Sequence, residues 1–117
     1  MKNFKELRIW QRSHQLVLDI YLITKSFPKE EVYGLTSQIR RSCASIPTNI
    51  AEGCGRNSDA ELKRFLTIVM GSASELEYQL ILSNDLGYIQ TDNYEKLNNE
   101  LIEIRKMLNT FIHKLGK

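Results

Sequence analysis

The sequence predicts an all-α protein, an antiparallel up-down-up-down four-helix bundle that assembles as a homo-oligomer. Apolar residues recur at steps of three and four along most of the 117 residues, as on one side of an α-helix. No stretch alternates with period two between hairpin turns, so strands are not expected. The segments between the periodic stretches are short, which favours antiparallel neighbours. The length fits a single domain over residues 1–117.

The first predicted helix covers residues 5–26 and ends before Pro28, because the residue that precedes a proline disfavours the α conformation. Its apolar residues occupy more of the circumference than one bundle needs. We therefore expect Leu18 and Leu22 to lie at an interface between copies of the chain. The alternative is that this helix lies deep within its own bundle.

The second predicted helix spans residues 34–53 and contains Pro47. Because a proline in a helix removes only the hydrogen bond to the carbonyl four residues earlier, here that of Cys43, we expect a kink and not a break. Two stretches of small residues, 42–45 on this helix and 71–74 on the next, predict a close approach of the two helices.

The third predicted helix begins at Ser58, in the S-x-x-E spacing of a capping box, and stops at Gly87. The fourth covers residues 92–115, with Asp92 heading a second capping box and Thr91 as the competing cap.

Composition excludes several classes of protein. A net charge of +2 and 42% apolar residues argue against a disordered or strongly cationic chain. No apolar run approaches the roughly 18 residues of a membrane span, and the start of the chain lacks a signal-peptide core, so we expect a cytoplasmic location and no membrane partner. Cys43 and Cys54 are expected to be free structural thiols.

Catalytic and metal-binding motifs are absent from the sequence. It has no phosphate-binding loop, HExxH or GxSxG, and no Glu-x-x-His pair of the kind that holds two metal ions in a helix bundle. We therefore predict no enzymatic activity, metal, cofactor or small-molecule substrate. His14 is interpreted as a core or interface histidine. An enzyme site at a subunit interface around His14, Asn49 and Glu52 is kept as an alternative.

A polar line runs along the second helix at steps of three and four, namely Arg41, Ser45, Asn49, Glu52 and Arg56. Two interpretations stay open. The line is either a binding surface for a polar partner, or a structural feature. In the second case Ser45 and Asn49 satisfy carbonyls freed by the proline, Glu52 pairs with an arginine, and Arg41 pairs with Glu75 across the bundle.

Positive charge is concentrated at the start of the chain, where Lys2, Lys5, Arg8 and Arg12 face only one acid. The last three are spaced to share one side of a helix, so we predict that this group contacts nucleic-acid phosphates, with Arg40 of the second helix as a further contact. Residues 65–95 contain five acids and neither Lys nor Arg. An ordinary solvated surface is the alternative interpretation.

Five strings of the sequence together resemble the bacterial four-helix-bundle family encoded in intervening sequences of 23S ribosomal RNA genes. They are Leu7-x-Ile9-Trp10-Gln11 with His14, Phe27-Pro28-x-Glu30, Gly34-Leu35-x-x-Gln38-x-x-Arg41, Ser45-Ile46-Pro47-x-Asn49-Ile50-Ala51-Glu52-Gly53, and Phe65-Leu66 followed by Gly71-Ser72-x-x-Glu75-Leu76-Glu77. The resemblance covers essentially the whole chain.

The resemblance implies a homopentamer of antiparallel bundles without demonstrated catalytic activity. A related branch is the accessory protein of diversity-generating retroelements, whose pentamer binds a reverse transcriptase and nucleic acid. The expected function is thus a non-enzymatic module that binds RNA or a ribonucleoprotein partner; the alternative is a scaffold that docks a protein without nucleic acid. Within the family motif, seven residues are expected to be structural or binding: Arg41, Ser45, Pro47, Asn49, Glu52, Gly53 and Glu75.

Overall fold

The computed structural model describes residues 2–116 and contains four α-helices and no strand in that range. The helices are α1 (Arg8–Thr24), α2 (Leu35–Cys54), α3 (Asp59–Asp85) and α4 (Thr91–Leu115). Short 3₁₀ turns at Phe4–Glu6 and Lys29–Glu31 lie before and after α1. The predicted all-α class and the number of helices are confirmed.

Local capping signals predict one helix start correctly and one wrongly. Ser58 caps α3, and its side chain accepts a hydrogen bond from the backbone N–H of Glu61 at 3.1 Å. The chain leaves α3 at Gly87, whose φ of 78° lies in the left-handed region that favours glycine. Helix α4 has Gln90 at its N-cap, with no side-chain cap. The carboxylate of Asp92 accepts from the adjacent N–H of Asn93 at 2.9 Å, so the second capping box is wrong.

Helix α1 is shorter than predicted, starting at Arg8 and not at Lys5. Leu7 is extended, with φ −81° and ψ 128°, and separates α1 from the preceding 3₁₀ turn. That turn is capped by Asn3, whose side chain accepts from the N–H of Lys5 at 3.2 Å. The predicted continuity of α2 is confirmed, because Pro47 lies inside one uninterrupted helix.

The four helices enclose one apolar core. Each of α1 and α3 packs on both α2 and α4, whereas no Cα atom of α1 lies within 8 Å of one of α3, so these two helices lie at diagonally opposite corners. The fully buried side chains include Leu16, Ile39, Leu66, Leu80 and Ile104. Leu18 and Leu22 are 49% and 68% exposed, so the alternative that places the whole of α1 deep in its own bundle is wrong.

The small-residue stretches of α2 and α3 lie against each other. The hydroxyl oxygens of Ser45 and Ser72 are 2.8 Å apart, and Cys43 and Ala73 are buried. At the end of α2, a Cβ on Gly53 would lie 2.9 Å from atoms of Leu62 and Phe65. Only glycine allows this approach, because heavy atoms at that distance overlap.

Candidate nucleic-acid interface

A groove about 510 Å³ in volume lies between the start of α1 and the end of α4. Three cations line it, Arg8 from α1 and Lys106 and Lys114 from α4, and no acidic side chain does. The remaining lining is Leu7, Ile9, Met107, Thr110 and Phe111. We call this the basic groove. Most of the lining surface is apolar, and the three cations stand around it. Such a groove is suited to a single-stranded nucleic acid, whose phosphates contact the cations and whose bases contact the apolar and aromatic surface.

The cations of the basic groove are available to a ligand. Lys106 pairs with Glu103 at 3.4 Å, and both side chains are well exposed, so this pair is easily exchanged for another partner. Arg8 and Lys114 form no ion pair with any residue between 2 and 116. Both are exposed.

Further cations lie at the same end of the bundle. The backbone N–H of Lys2 donates to the carbonyl of Cys54 at 3.2 Å, which ties the start of the chain to the end of α2. A Cβ on Gly116 would lie 3.1 Å from the Nζ atom of Lys63, so this ammonium group lies beside the end of α4. Together with the exposed Lys5, these residues add cations at this end of the bundle, where the acids Glu6 and Asp59 are exposed as well.

The expectation that Lys5, Arg8 and Arg12 share one helix side is wrong for Lys5, which precedes the extended Leu7. Arg12 is already paired: its Nε and Nη2 atoms donate to the two carboxylate oxygens of Glu100, each at 2.8 Å. The hydrogen bonds to Glu100 raise the pKa of Arg12. A bidentate pair of this kind holds the guanidinium against α4.

Arg40 is also engaged, far from the basic groove. Its Nε donates to the hydroxyl of Thr24 at 2.8 Å and its Nη2 donates to the carbonyl of Tyr21 at 3.3 Å. The guanidinium carbon lies 4.6 Å from the centroid of the Tyr21 ring. These contacts fasten α2 to the last turn of α1, where orphan carbonyls need donors.

The polar line of α2 makes contacts within the chain. Arg41 forms an ion pair with Glu75 of α3, the partner proposed from the sequence. The side-chain amide of Asn49 donates to the carbonyl of Ser45 at 2.8 Å and to its hydroxyl at 2.9 Å. The proline-freed carbonyl of Cys43 is therefore not the one that Asn49 binds.

A second groove, about 720 Å³ in volume, brings the two most distinctive strings of the sequence together. Trp10 and His14 of α1 line it opposite Pro47 and Glu52 of α2. The other lining residues are Phe4, Val17, Ala44, Thr48, Ala51, Gly55 and Arg56. We call this the motif groove. Because residues separated by more than thirty positions meet here, the family motif marks a surface as well as a packing interface.

Aromatic contacts build one wall of the motif groove. The rings of Trp10 and His14 stack, with centroids 5.0 Å apart and an interplanar angle of 9°. Phe4 meets the Trp10 ring edge-on at 5.0 Å. On the other wall Glu52 pairs with Arg56 at 3.0 Å. His14 is exposed, so a core position for it is wrong, while its place at a subunit interface stays a prediction.

Catalytic chemistry finds little support in these arrangements. Between residues 2 and 116, no group of three or more His, Cys, Asp or Glu side chains is placed to hold a metal ion. His14 and Glu52 share the motif groove, but Asn49 does not line it.

Between residues 2 and 116, no helix combines the length and apolar character needed to cross a membrane.

Both cysteines are free and buried, as predicted. Burial raises the pKa of the Cys43 thiol to about 12. The pKa of Cys54 is raised as well, also chiefly by burial. Since the thiolate is the reactive form, neither residue is suited to nucleophilic or redox chemistry.

Lys106 and Lys114 were not among the residues predicted from the sequence. They stand eight residues apart with Thr110 midway, a spacing that places all three along one ridge of α4. This ridge was the available signal. Its meeting with Arg8 depends on the tertiary fold, because the two segments are almost a hundred residues apart.

Comparison with known proteins agrees with the fold and the motifs. The family model described as 23S rRNA-intervening sequence protein matches residues 5–110. A solved structure, described as a protein of unknown function from the S23 ribosomal protein family of Bacteroides thetaiotaomicron, is 31% identical with a TM-score of 0.81, covering 89% of this chain and 97% of that chain. Among curated proteins, none matches. The chain therefore belongs to the family of 23S rRNA-intervening sequence proteins.

Proposed function

We propose that this protein is a non-enzymatic, self-associating helical module whose basic groove binds RNA. The observation that carries the proposal is the lining of that groove, to which Arg8, Lys106 and Lys114 contribute and no acidic residue does; the one carboxylate paired with them, that of Glu103, lies outside the lining. Cations so placed neutralise phosphates and release counterions, which gives affinity without sequence preference. Phe111 supplies an aromatic surface on which an unpaired base can stack.

The inferred topology is an antiparallel up-down-up-down bundle. Contacts between α2 and α3 support it, because Arg41 meets Glu75 whereas the later Ser45 meets the earlier Ser72. The contact of Arg12 with Glu100 and the meeting of Arg8 with Lys114 at the basic groove give the same order for α1 and α4. In this topology α1 and α3 run in the same direction.

Self-association is supported by the exposed Leu18 and Leu22, which together form an apolar surface on α1 that no residue between 2 and 116 covers. The family resemblance favours a pentamer. In a ring, the basic groove of each copy is repeated around the axis, so several weak phosphate contacts act together. A cytoplasmic location fits an RNA partner.

A salt titration tests RNA binding directly. The affinity of the protein for a fluorescently labelled oligouridylate is measured by anisotropy over a range of salt concentrations. For single strands, the logarithm of the binding constant is expected to fall with the logarithm of the salt concentration by about 0.7 for each phosphate contacted. A slope near zero, or no binding at low salt, contradicts the proposal.

A second candidate function is docking of a partner protein, such as a reverse-transcriptase-type protein, without nucleic acid. The motif groove favours it, since Phe4, Trp10, Val17 and Pro47 give this surface a mainly apolar and aromatic lining. Docking into such a groove depends little on salt and is lost on replacing Trp10 by Ala. RNA binding through the basic groove is insensitive to that replacement.

A further inference from the structure

Two helices of the bundle present exposed apolar faces. The α1 face consists of Leu18, Tyr21 and Leu22, which are 49%, 42% and 68% exposed. The α3 face consists of Ile68, Tyr78 and Ile81, which are 41%, 61% and 40% exposed. Single exposed apolar side chains are normal on a protein surface, but six large ones grouped on two helices need an explanation.

Gly71 lies in the middle of the α3 face, at most four helical turns from either end of α3. A glycine inside a helix lowers its stability relative to alanine. Beyond its own turn of helix, a Cβ at this position has no heavy atom of the described residues 2–116 within 4 Å, so packing within that range does not require a glycine there. A helix of another molecule packed at this point would benefit, because a small residue lets two helix axes approach closely.

The two faces point away from each other. No Cα atom of α1 comes within contact distance of α3, since the two helices occupy diagonal corners of the bundle. A two-fold pairing through one face would leave the other exposed. Covering both faces by two-fold pairing would need two different interfaces, whereas one repeated contact of the α1 face with the α3 face of the next copy covers both. Such a head-to-tail contact gives a ring when the rotation between copies closes.

Charges at the ends of the two faces are complementary. Lys25 is exposed and stands three residues after Leu22, on the same side of α1. Asp85 is exposed and stands four residues after Ile81, on α3. Neither forms an ion pair with any residue between 2 and 116. Since α1 and α3 run in the same direction in the inferred topology, packing them side by side brings Lys25 and Asp85 to the same end of the interface.

We propose that the chain self-associates through a heterologous interface in which the α1 face of one copy packs on the α3 face of the next. This inference rests on the self-association proposed above and adds its two surfaces. Leu22 of one copy packs near Tyr78 and Ile81 of its neighbour. Gly71 provides the point of close approach, and the lysine and aspartate fix the register.

A mixing experiment tests the pairing of unlike faces. Leu22→Glu spoils the α1 face and Tyr78→Glu spoils the α3 face, and each variant alone is expected to sediment as a monomer of 13.6 kDa. Each variant keeps the face that the other has lost. An equimolar mixture therefore forms a 1:1 heterodimer and nothing larger. Ile102→Glu, at an exposed residue of α4 outside both faces, is the control and stays oligomeric.

The outcomes separate the two proposals. A wild-type chain that is monomeric at micromolar concentration contradicts self-association and this interface together. A wild-type oligomer whose variants both remain oligomeric, or whose variants do not associate on mixing, contradicts the interface alone. Should either glutamate variant lose its helical circular dichroism, the charge pair serves instead: Lys25→Glu and Asp85→Lys each weaken the oligomer, and the double variant restores it. Absence of that restoration also contradicts the pairing.

Discussion

Arg12 and Glu100 join α1 to α4 through two parallel hydrogen bonds of 2.8 Å each. Side-chain exposure is 30% for the arginine and 32% for the glutamate, so water screens the pair only in part. Arg8 lies one helical turn earlier. It has no such partner within residues 2–116, and it lines the basic groove. Two arginines one helical turn apart thus have different surroundings.

Replacing Arg12 by Gln is expected to lower the free energy of unfolding by about 1 kcal/mol, because a partly buried bidentate pair is lost. RNA affinity should not change, since the guanidinium is already neutralised by Glu100. Urea unfolding and anisotropy at fixed salt measure the two effects. An equal loss of RNA affinity in Arg12→Gln and Arg8→Gln would show that this assignment is wrong.

Gly53 provides a test of the close approach between α2 and α3. A methyl group there would lie 2.9 Å from side-chain atoms of Leu62 and Phe65, so Gly53→Ala is expected to cost about 1–3 kcal/mol of stability. Gly55→Ala is the matched control. Its Cβ would lie 3.5 Å from the nearest atom, and the change should stay within about 0.5 kcal/mol. Similar unfolding midpoints for the two variants would contradict the packing described.

The raised pKa of Cys43 links stability to pH. The ordinary thiol pKa of 9.0 applies to the unfolded chain, whereas burial raises it to about 12 in the folded protein. Between these values the unfolded thiol loses its proton and the folded one keeps it, so stability falls as pH rises.

This contribution is fully present below pH 9.0 and decreases by about 1.4 kcal/mol per pH unit above it. The measurement is the difference in unfolding free energy between the wild type and Cys43→Ala at pH 8 and at pH 10. The difference should shrink at the higher pH, because alanine does not titrate. A constant difference would contradict the burial of a neutral thiol.

Features set by local sequence were predictable, and those set by tertiary contact were less so. Ser58 and Gly87 mark the start and the end of α3 as expected, since capping and left-handed backbone depend on neighbouring residues. Leu7 carries no sequence signal for its extended backbone, and the predicted start of α1 was therefore three residues too early. Helix α4 already begins after its N-cap residue Gln90, so Asp92 lies within the first turn and is not the cap.

The candidate site was predictable in part. Exposed Lys2, Lys5 and Arg8 lie at one end of the bundle, as the clustering of charge indicates. Arg12 and Arg40 have the same charge but bind partners in other helices, which sequence spacing does not reveal. For the same reason the contribution of α4 to the basic groove was missed.

The most direct test of RNA binding compares two double variants that remove the same charge. Arg8→Gln with Lys114→Gln removes two cations of the basic groove, whereas Lys29→Gln with Lys96→Gln removes two exposed lysines outside it. Affinity for labelled oligouridylate is measured at several salt concentrations, with sedimentation to verify that both variants keep the wild-type assembly. We predict that the groove variant binds more weakly and that its salt slope decreases by about 0.7 for each lost contact, while the control matches the wild type. Equal affinities for the two variants would contradict RNA binding at the basic groove.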